Sequence, residues 1–207
     1  MTLFLLYATT SAVILPAYAV EDAKTYYNRG TDYYEKADYE AAVKDLSTAI
    51  KLETKAPDAY FNRGLSYRKQ HKIDEAIEDF SKAIQLYPNQ PSYYFERCNA
   101  FILKNNFDNA VTDCSEAIRL LPDEASGYFM RGLAHMLRGD LEEAFADSVR
   151  SLQIQPDHSD ALRLLYETLV KKEAMIGVLN SSTLQRSTLT QINQEVLPRG
   201  LSRAEKT

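Results

Sequence analysis

The chain has 207 residues, of which 45% are hydrophobic and 26% charged, and its formal net charge is −5. This length and composition are typical of a folded protein with one sizeable core. An acidic chain without a basic stripe lacks the electrostatic footprint of a nucleic-acid-binding protein. We therefore expect no nucleic-acid partner.

The first 19 residues carry no charge and form an apolar run interrupted by Pro16. Ala17 and Ala19 fit the small-x-small pattern of a signal-peptidase site. We therefore expect residues 1–19 to be a signal peptide, with export to a bacterial periplasm or secretion, although no Lys or Arg precedes the run. The alternative is an uncleaved membrane anchor, because about 20 apolar residues can span a bilayer.

A unit of 34 residues then occurs four times. YYNRG at 26–30 returns as YFNRG at 60–64, YFERC at 94–98 and YFMRG at 128–132. A period of this length without a strand signal is typical of stacked helix–turn–helix units. The second half of the unit repeats as AAVKDLSTAI (41–50), EAIEDFSKAI (75–84), NAVTDCSEAI (109–118) and EAFADSVRSL (143–152).

Each unit predicts two helices, because apolar residues recur at helical spacing in both halves. The predicted repeats are 23–56, 57–90, 91–124 and 125–158. The first helices are expected near 23–36, 57–70, 91–104 and 125–138. The second helices are expected near 39–53, 73–87, 107–121 and 141–155. Small residues inside the first helices, mostly Gly, would let the paired helix approach closely.

Residues 159–176 predict one more amphipathic helix, which would cap the last hydrophobic face of the stack. Residues 177–207 are polar and rich in Ser and Thr, and we expect a partly disordered tail there. Leu189, Ile192 and Val196 indicate a short helix within it.

The repeat resembles the tetratricopeptide repeat. The family's aromatic, small, Ala and Pro places are occupied in residues 57–90 by Tyr60, Gly64, Tyr67, Ala76, Phe80, Ala83 and Pro88. The resemblance covers about 23–158 in four copies. It implies an all-α fold, a right-handed α-solenoid that serves as a protein-binding scaffold and performs no chemistry.

Some members of this family hold the acidic tails of heat-shock chaperones with a Lys/Asn/Lys/Arg clamp. The first Lys of that clamp would fall at Tyr27 or Phe61, and its first Asn at Thr31 or Leu65. The basic residues are absent, so we expect a different ligand.

The sequence contains no Gly-rich phosphate loop, nucleophile elbow or metal-ligand spacing. His71, His135 and His158 are dispersed. We therefore expect no enzymatic activity, cofactor, metal or small-molecule substrate.

An Arg precedes the small residue of every repeat, and an Asp follows it 16 positions later. The pairs are Arg29 and Asp45, Arg63 and Asp79, Arg97 and Asp113, and Arg131 and Asp147. An Arg at a half-buried position needs a carboxylate partner, so we favour structural ion pairs within or between repeats over an Arg ladder that contacts a ligand.

Cys98 and Cys114 lie on the two helices of the third repeat, at inward-facing places of similar height. An exported protein with two cysteines can form a disulfide. We favour two buried free thiols, because paired helices often lie further apart than the roughly 6 Å between Cα atoms that a disulfide prefers.

The face of each first helix that lacks the core pattern is predicted to line the concave side of the solenoid. These groove residues are Tyr27, Asn28, Phe61, Asn62, Leu65, Phe95, Asn99, Ile102, Phe129, Leu133 and Met136. We expect the third and fourth repeats to bind a partner segment through the apolar members, while Phe61 and Asn62 fix its orientation. The alternative is that the cap helix or the tail covers this patch.

The expected function is a non-catalytic scaffold that binds a peptide or helix of a partner protein in the groove. The alternative is a membrane-anchored assembly factor, if residues 1–19 are retained; only then would a membrane be a partner.

Overall fold

The computed structural model describes residues 21–53 and 55–176, so the predicted signal peptide and tail lie outside the described residues. This part of the chain contains nine α-helices and no strand: α1 (Ala23–Glu35), α2 (Tyr39–Leu52), α3 (Pro57–Lys69), α4 (Ile73–Leu86), α5 (Pro91–Leu103), α6 (Phe107–Leu120), α7 (Ala125–Arg138), α8 (Leu141–Ile154) and α9 (Ser159–Ile176). Each helix begins and ends within one residue of its predicted bounds. No helix in these two ranges is both long and apolar enough to cross a bilayer.

The helices stack in chain order, and each packs most closely against its neighbours in sequence. The first helices of the repeats (α1, α3, α5 and α7) also contact one another in succession, whereas no two second helices (α2, α4, α6 and α8) have comparable contacts among the described residues. The first helices therefore line the inner side of the stack. The predicted all-α solenoid is confirmed.

The turn between the two helices of each repeat contains one residue with positive φ. These residues are Ala37, His71, Asn105 and Gly139, at φ 60°, 60°, 57° and 102°. They lie at the same place in successive 34-residue units. This left-handed conformation costs little for Gly and more for a residue with a Cβ atom. Only the fourth repeat has the favoured residue there.

The small residues of the first helices lie where the second helices come closest. A Cβ atom on Gly30 would lie 2.7 Å from Leu46 Cγ, and one on Gly64 would lie 2.7 Å from Phe80 Cε1. A small residue on one helix therefore makes room for a large one on the other.

In the third repeat the same two places hold Cys98 and Cys114, and they form a disulfide. The preference for free thiols was therefore wrong. The Cα atoms lie 5.5 Å apart, because the small-residue place is where the paired helices approach most closely. Both residues are fully buried.

The helix α9 closes the C-terminal end of the stack against α8 and α7. Its Leu165 is fully buried and packs with Val149 and Leu152 of α8. A 34-residue shift places Leu165 at the position that Arg131 has in the fourth repeat. The capping contact is thus apolar where the contacts between repeats are polar.

Candidate functional site

The Arg side chains of the repeats bind groups of their own chain. Arg63 donates from Nε and Nη2 to the two carboxylate oxygens of Asp79, at 2.8 and 2.7 Å. Its Nη1 donates to Ser47 Oγ of the preceding repeat at 3.0 Å. Asp79 is 5% exposed, and this burial raises its pKa, against the opposing hydrogen bond from Arg63. The guanidinium is therefore committed to holding two repeats together.

The same arrangement recurs in the other repeats, and all four predicted ion pairs are present. Arg97 and Arg131 also donate to a Ser of the preceding repeat. Arg29 lies in the first of the four repeats, and it bonds Glu21 as well as Asp45. This geometry agrees with a structural role for these arginines.

The concave face of the first two repeats carries a polar network. Asn62 Nδ2 donates to Tyr27 Oη at 3.1 Å and to Thr31 Oγ1 at 3.3 Å. Both hydrogens of the amide are therefore used, and Asn62 Oδ1 remains as an oriented acceptor. Asn28 lies on α1 one turn before Thr31, and its side chain is exposed.

An aromatic contact joins the second and third repeats on this face. The Tyr93 ring lies 4.9 Å from the Phe61 ring, and the Tyr93 hydroxyl donates to Asp58. Tyr93 is 2% exposed. Burial, together with the hydrogen bond to Asp58, raises the pKa of Tyr93 well above its usual value. Tyr93 therefore stays a neutral donor.

A charged pair lies between the same two repeats. Arg68 Nη2 and Glu96 Oε2 are 3.0 Å apart, and both side chains are four-fifths buried. The ion pair does not have the geometry of a hydrogen bond, and among the described residues Arg68 Nε and Glu96 Oε2 have no hydrogen-bond partner. Burial raises the pKa of Glu96, against the attraction of Arg68.

The apolar half of the predicted groove is less open than expected. Phe95 and Ile102 are half-buried and pack on the core around the disulfide. Phe129 and Leu133 are half-buried and pack on a cluster that includes Leu164 of α9. Met136 in that cluster is only 6% exposed.

The prediction that Met136 contacts a partner was therefore wrong, because Met136 is buried in a cluster with Leu141 and Ala144 of α8 and Leu164 of α9. The alternative considered from the sequence was that the cap helix or the tail covers this patch; the cap helix contributes Leu164 to the cluster, and the tail lies outside the described residues. Leu65 and Asn99 remain half-exposed further along the same face.

Two open cavities lie at equivalent places of the solenoid. A cavity of about 270 Å³ lies between α1 and α3, and its lining includes Lys24, Tyr27 and Glu53. A second cavity, of about 220 Å³, lies between α5 and α7. It is lined by Pro91, Ser92, Phe95, Ala117, Leu121, Glu124, Ser126 and Gly127. A shift of two repeats places each of these eight residues at a lining position of the first cavity.

Sequence reasoning missed several residues that join neighbouring repeats. The serines that bind the Arg side chains recur at 34-residue spacing, as Ser47, Ser81 and Ser115, so the period could have revealed them. Tyr93 and Asp58 have no such signal, because neither residue type recurs at its place in the other repeats. Among the described residues, no group of three His, Cys, Asp or Glu side chains could hold a metal ion.

Comparison with known families supports the repeat assignment. A tetratricopeptide repeat model matches residues 57–90. A second model, described as TPR repeat, matches 30–70, and a third, described as tetratricopeptide repeat, matches 99–161. No curated protein sequence matches the chain.

The fold is similar to solved structures of such proteins. MamA from Desulfovibrio magneticus RS-1 has a TM-score of 0.73 and 18% identity, with 89% of this chain and 97% of that chain covered. YrrB, described as a TPR protein with an unusual peptide-binding site, has a TM-score of 0.69 and 20% identity, covering 87% and 89%. The first TPR of Spaghetti (RPAP3), bound to an HSP90 peptide, has a TM-score of 0.55 and 29% identity, covering 58% and 93%.

Proposed function

Because the chain belongs to the tetratricopeptide repeat family, we propose that it is a non-catalytic scaffold that binds a segment of a partner protein on the inner face formed by α1, α3, α5 and α7. Proteins of this family and fold are typically interaction modules. Two structurally similar proteins, RPAP3 and YrrB, are described as binding peptides, which supports the same mode of use here.

The observation that carries the proposal is the fixed amide of Asn62. Its two hydrogens are held by Tyr27 and Thr31, so the carbonyl oxygen is available to accept a backbone N–H of an extended segment. A preoriented acceptor on an aromatic-lined surface binds at a lower entropic cost than a free side chain. Phe61, half-exposed beside it, offers a ring face to the same segment.

The partner would therefore lie across the first three repeats, up to the start of α7, rather than reach the α9 end. The accessible candidates there are Tyr27, Asn28, Phe61, Asn62, Leu65, Phe95, Asn99 and Ile102. Of the predicted groove residues in the fourth repeat, Phe129 and Leu133 are in part accessible, whereas Met136 is buried. The four Arg–Asp pairs would hold the scaffold and make no contact with the partner.

The test has two steps. A pull-down with the full chain from its native compartment, read by mass spectrometry, identifies a candidate, and calorimetry with the purified candidate then measures its affinity. Tyr27→Ala and Asn62→Ala should each weaken binding by roughly tenfold, as expected for truncation at the centre of an interface. Glu78→Ala, on the exposed side of α4, is the matched control and should leave affinity unchanged.

Unchanged affinity in both groove variants, with unchanged melting temperatures, would place the partner elsewhere. Hydrolysis or turnover of any substrate by the purified chain, lost on a point substitution, would contradict the non-catalytic assignment.

We also propose that residues 1–19 are a signal peptide and that the scaffold acts after export. An intact-mass measurement of the protein from its native host tests this proposal, because a mature chain that starts at Val20 requires cleavage. A retained segment would instead support the membrane-anchored assembly factor.

A further inference from the structure

The ring of Tyr93 fills the space between the second and third repeats. It contacts the Phe61 ring, its hydroxyl donates to Asp58, and it is 2% exposed. The same place holds Ala59 between the first two repeats and Gly127 between the last two. Among the described residues, an aromatic side chain of the chain itself therefore fills the central junction alone.

Both remaining junctions are open at this place. The cavity of about 220 Å³ between α5 and α7 has Gly127 in its wall, where the neighbouring junction has Tyr93. A shift of one repeat also converts Phe61 into Phe95 and Asp58 into Ser92. The cavity thus has an aromatic wall in Phe95 and a hydroxyl acceptor in Ser92, but it has no counterpart of the Tyr93 ring.

We propose that this cavity binds a tyrosine or phenylalanine side chain of the partner segment, in the position that Tyr93 occupies one repeat earlier. The inference rests on the proposed function and specifies the chemistry that the scaffold recognises. The ring would lie against Phe95, and a phenol hydroxyl would donate to Ser92 Oγ. Aromatic pairs of this kind are more favourable than their buried area alone predicts.

The equivalent cavity between α1 and α3 fits an aromatic ring less well. Lys24 and Glu53 stand there in the places of Ser92 and Leu121. Leu121 is 47% exposed at the lip of the α5–α7 cavity, which leaves an apolar edge open to solvent. An exposed apolar edge next to an aromatic-walled cavity is a common feature of binding pockets.

The direct test uses the full chain and three probes: acetyl-Gly-Tyr-Gly-amide, the same tripeptide with Phe, and the same tripeptide with Ala. NMR titration should give dissociation constants on the order of 1 mM for the Tyr and Phe probes, as expected for small ligands. The backbone amides of Ser92, Phe95 and Gly127 should shift. The Ala probe should bind at least about tenfold more weakly, since it lacks the ring.

Gly127→Tyr would fill the cavity from within and should abolish these shifts. A Cβ atom there lies 3.1 Å from Ile118 Cγ1, so that side chain must move by a few tenths of an ångström.

Leu121→Glu is the second variant, because the equivalent position of the first cavity already holds an exposed glutamate, Glu53. It should weaken the Tyr probe about tenfold, as expected for loss of the apolar edge. Asp123→Tyr, in the exposed turn before α7, is the matched control and should bind as the wild type does.

A reciprocal variant tests whether the Tyr93 ring occupies a place that can bind a separate aromatic molecule. Tyr93→Ala should open the central junction and create a second site for p-cresol, whose binding should raise the melting temperature of that variant more than that of the wild type.

Equal binding of the Ala probe, or shifts that persist in both Gly127→Tyr and Leu121→Glu, would overturn the proposal. Binding that appears only after removal of residues 177–207 would mean that the chain fills its own cavity. Dimers that Gly127→Tyr disrupts would make a second copy the occupant. If the cavity proposal fails but Tyr27→Ala and Asn62→Ala still weaken partner binding, the scaffold function is supported and the two hypotheses are separated.

Discussion

Arg63 joins two repeats, since Nη1 donates to Ser47 Oγ of the preceding repeat at 3.0 Å while Nε and Nη2 hold the carboxylate of Asp79 in its own repeat. The same bonds recur 34 residues later with Arg97. Nearest-neighbour contacts of this type carry much of the stability of a repeat stack. The hydrogen bonds of these arginines therefore join neighbouring repeats as well as the two helices of each repeat.

Replacing Arg63 by Ala should destabilise the solenoid. The change would leave the buried carboxylate of Asp79 without its partner, which costs about 3 kcal/mol in comparable buried pairs. Thermal and urea unfolding would measure the loss, and partner affinity at temperatures where the variant is folded should not change.

The control for this prediction is Arg119→Ala. Arg119 and Glu116 form an ion pair on the surface of α6, with the Arg side chain 61% exposed. Exposed ion pairs contribute little to stability because water and salt screen them, so this variant should unfold almost as the wild type does. Equal melting temperatures for both variants would contradict the structural role of Arg63.

Reducing the disulfide should also lower the melting temperature. The bond closes a loop with a sequence separation of 16, for which the chain-entropy model gives about 3 kcal/mol. The matched variant is Cys98→Gly with Cys114→Phe, which copies the Gly64 and Phe80 pair of the second repeat. Its melting temperature should not respond to reductant. Two alkylatable thiols in the denatured, non-reduced wild type would show that the bond does not form.

The sequence predicted the helices well because the 34-residue period repeats the pattern of each helix pair four times. It could not predict which way Tyr93 points, since the residues at its place in other repeats, Ala59 and Gly127, have little or no side chain. The burial of Met136 also needed the structure, because it depends on how α8 and α9 pack against α7. Contacts that occur in one repeat alone are therefore not predictable from the 34-residue period.

The turns offer a prediction with opposite signs at matched places. His71 is exposed and has φ 60°, so His71→Gly should stabilise the protein by about 1 kcal/mol. Gly139→Ala, at the same place in the fourth repeat, should destabilise it by about 1 kcal/mol. Glu78→Gly, inside α4, is the control for a glycine in a helix and should cost about 1 kcal/mol. Chemical denaturation of the three variants measures all these changes. A destabilising His71→Gly substitution would contradict the conformation given for this turn.

The cap helix should contribute through its buried face alone. Leu165 is fully buried against Val149 and Leu152, so Leu165→Ala should cost about 2–5 kcal/mol. Leu162, on the same helix, is 37% exposed, and Leu162→Ala should cost less than about 1.5 kcal/mol by the area it buries. Denaturant titrations compare the two. Similar losses would mean that the outer face of α9 is covered as well.

The buried carboxylate of Glu96 should make stability depend on pH. Burial raises its pKa in the folded protein above the usual 4.5, against the attraction of Arg68. Between pH 4.5 and the raised value the folded protein therefore binds more protons than the unfolded chain, and the free energy of unfolding falls as pH rises through this window. Acidification from neutral pH towards 4.5 should thus stabilise the wild type relative to Glu96→Gln, which cannot titrate.

Glu116 should make stability depend on pH in the opposite direction, because hydrogen bonds from Arg119 lower its pKa. Its Gln variant should lose a contribution that in the wild type weakens as the pH falls. Urea midpoints measured across pH for the three proteins decide the question, and a wild-type profile parallel to that of Glu96→Gln would show that Glu96 titrates normally.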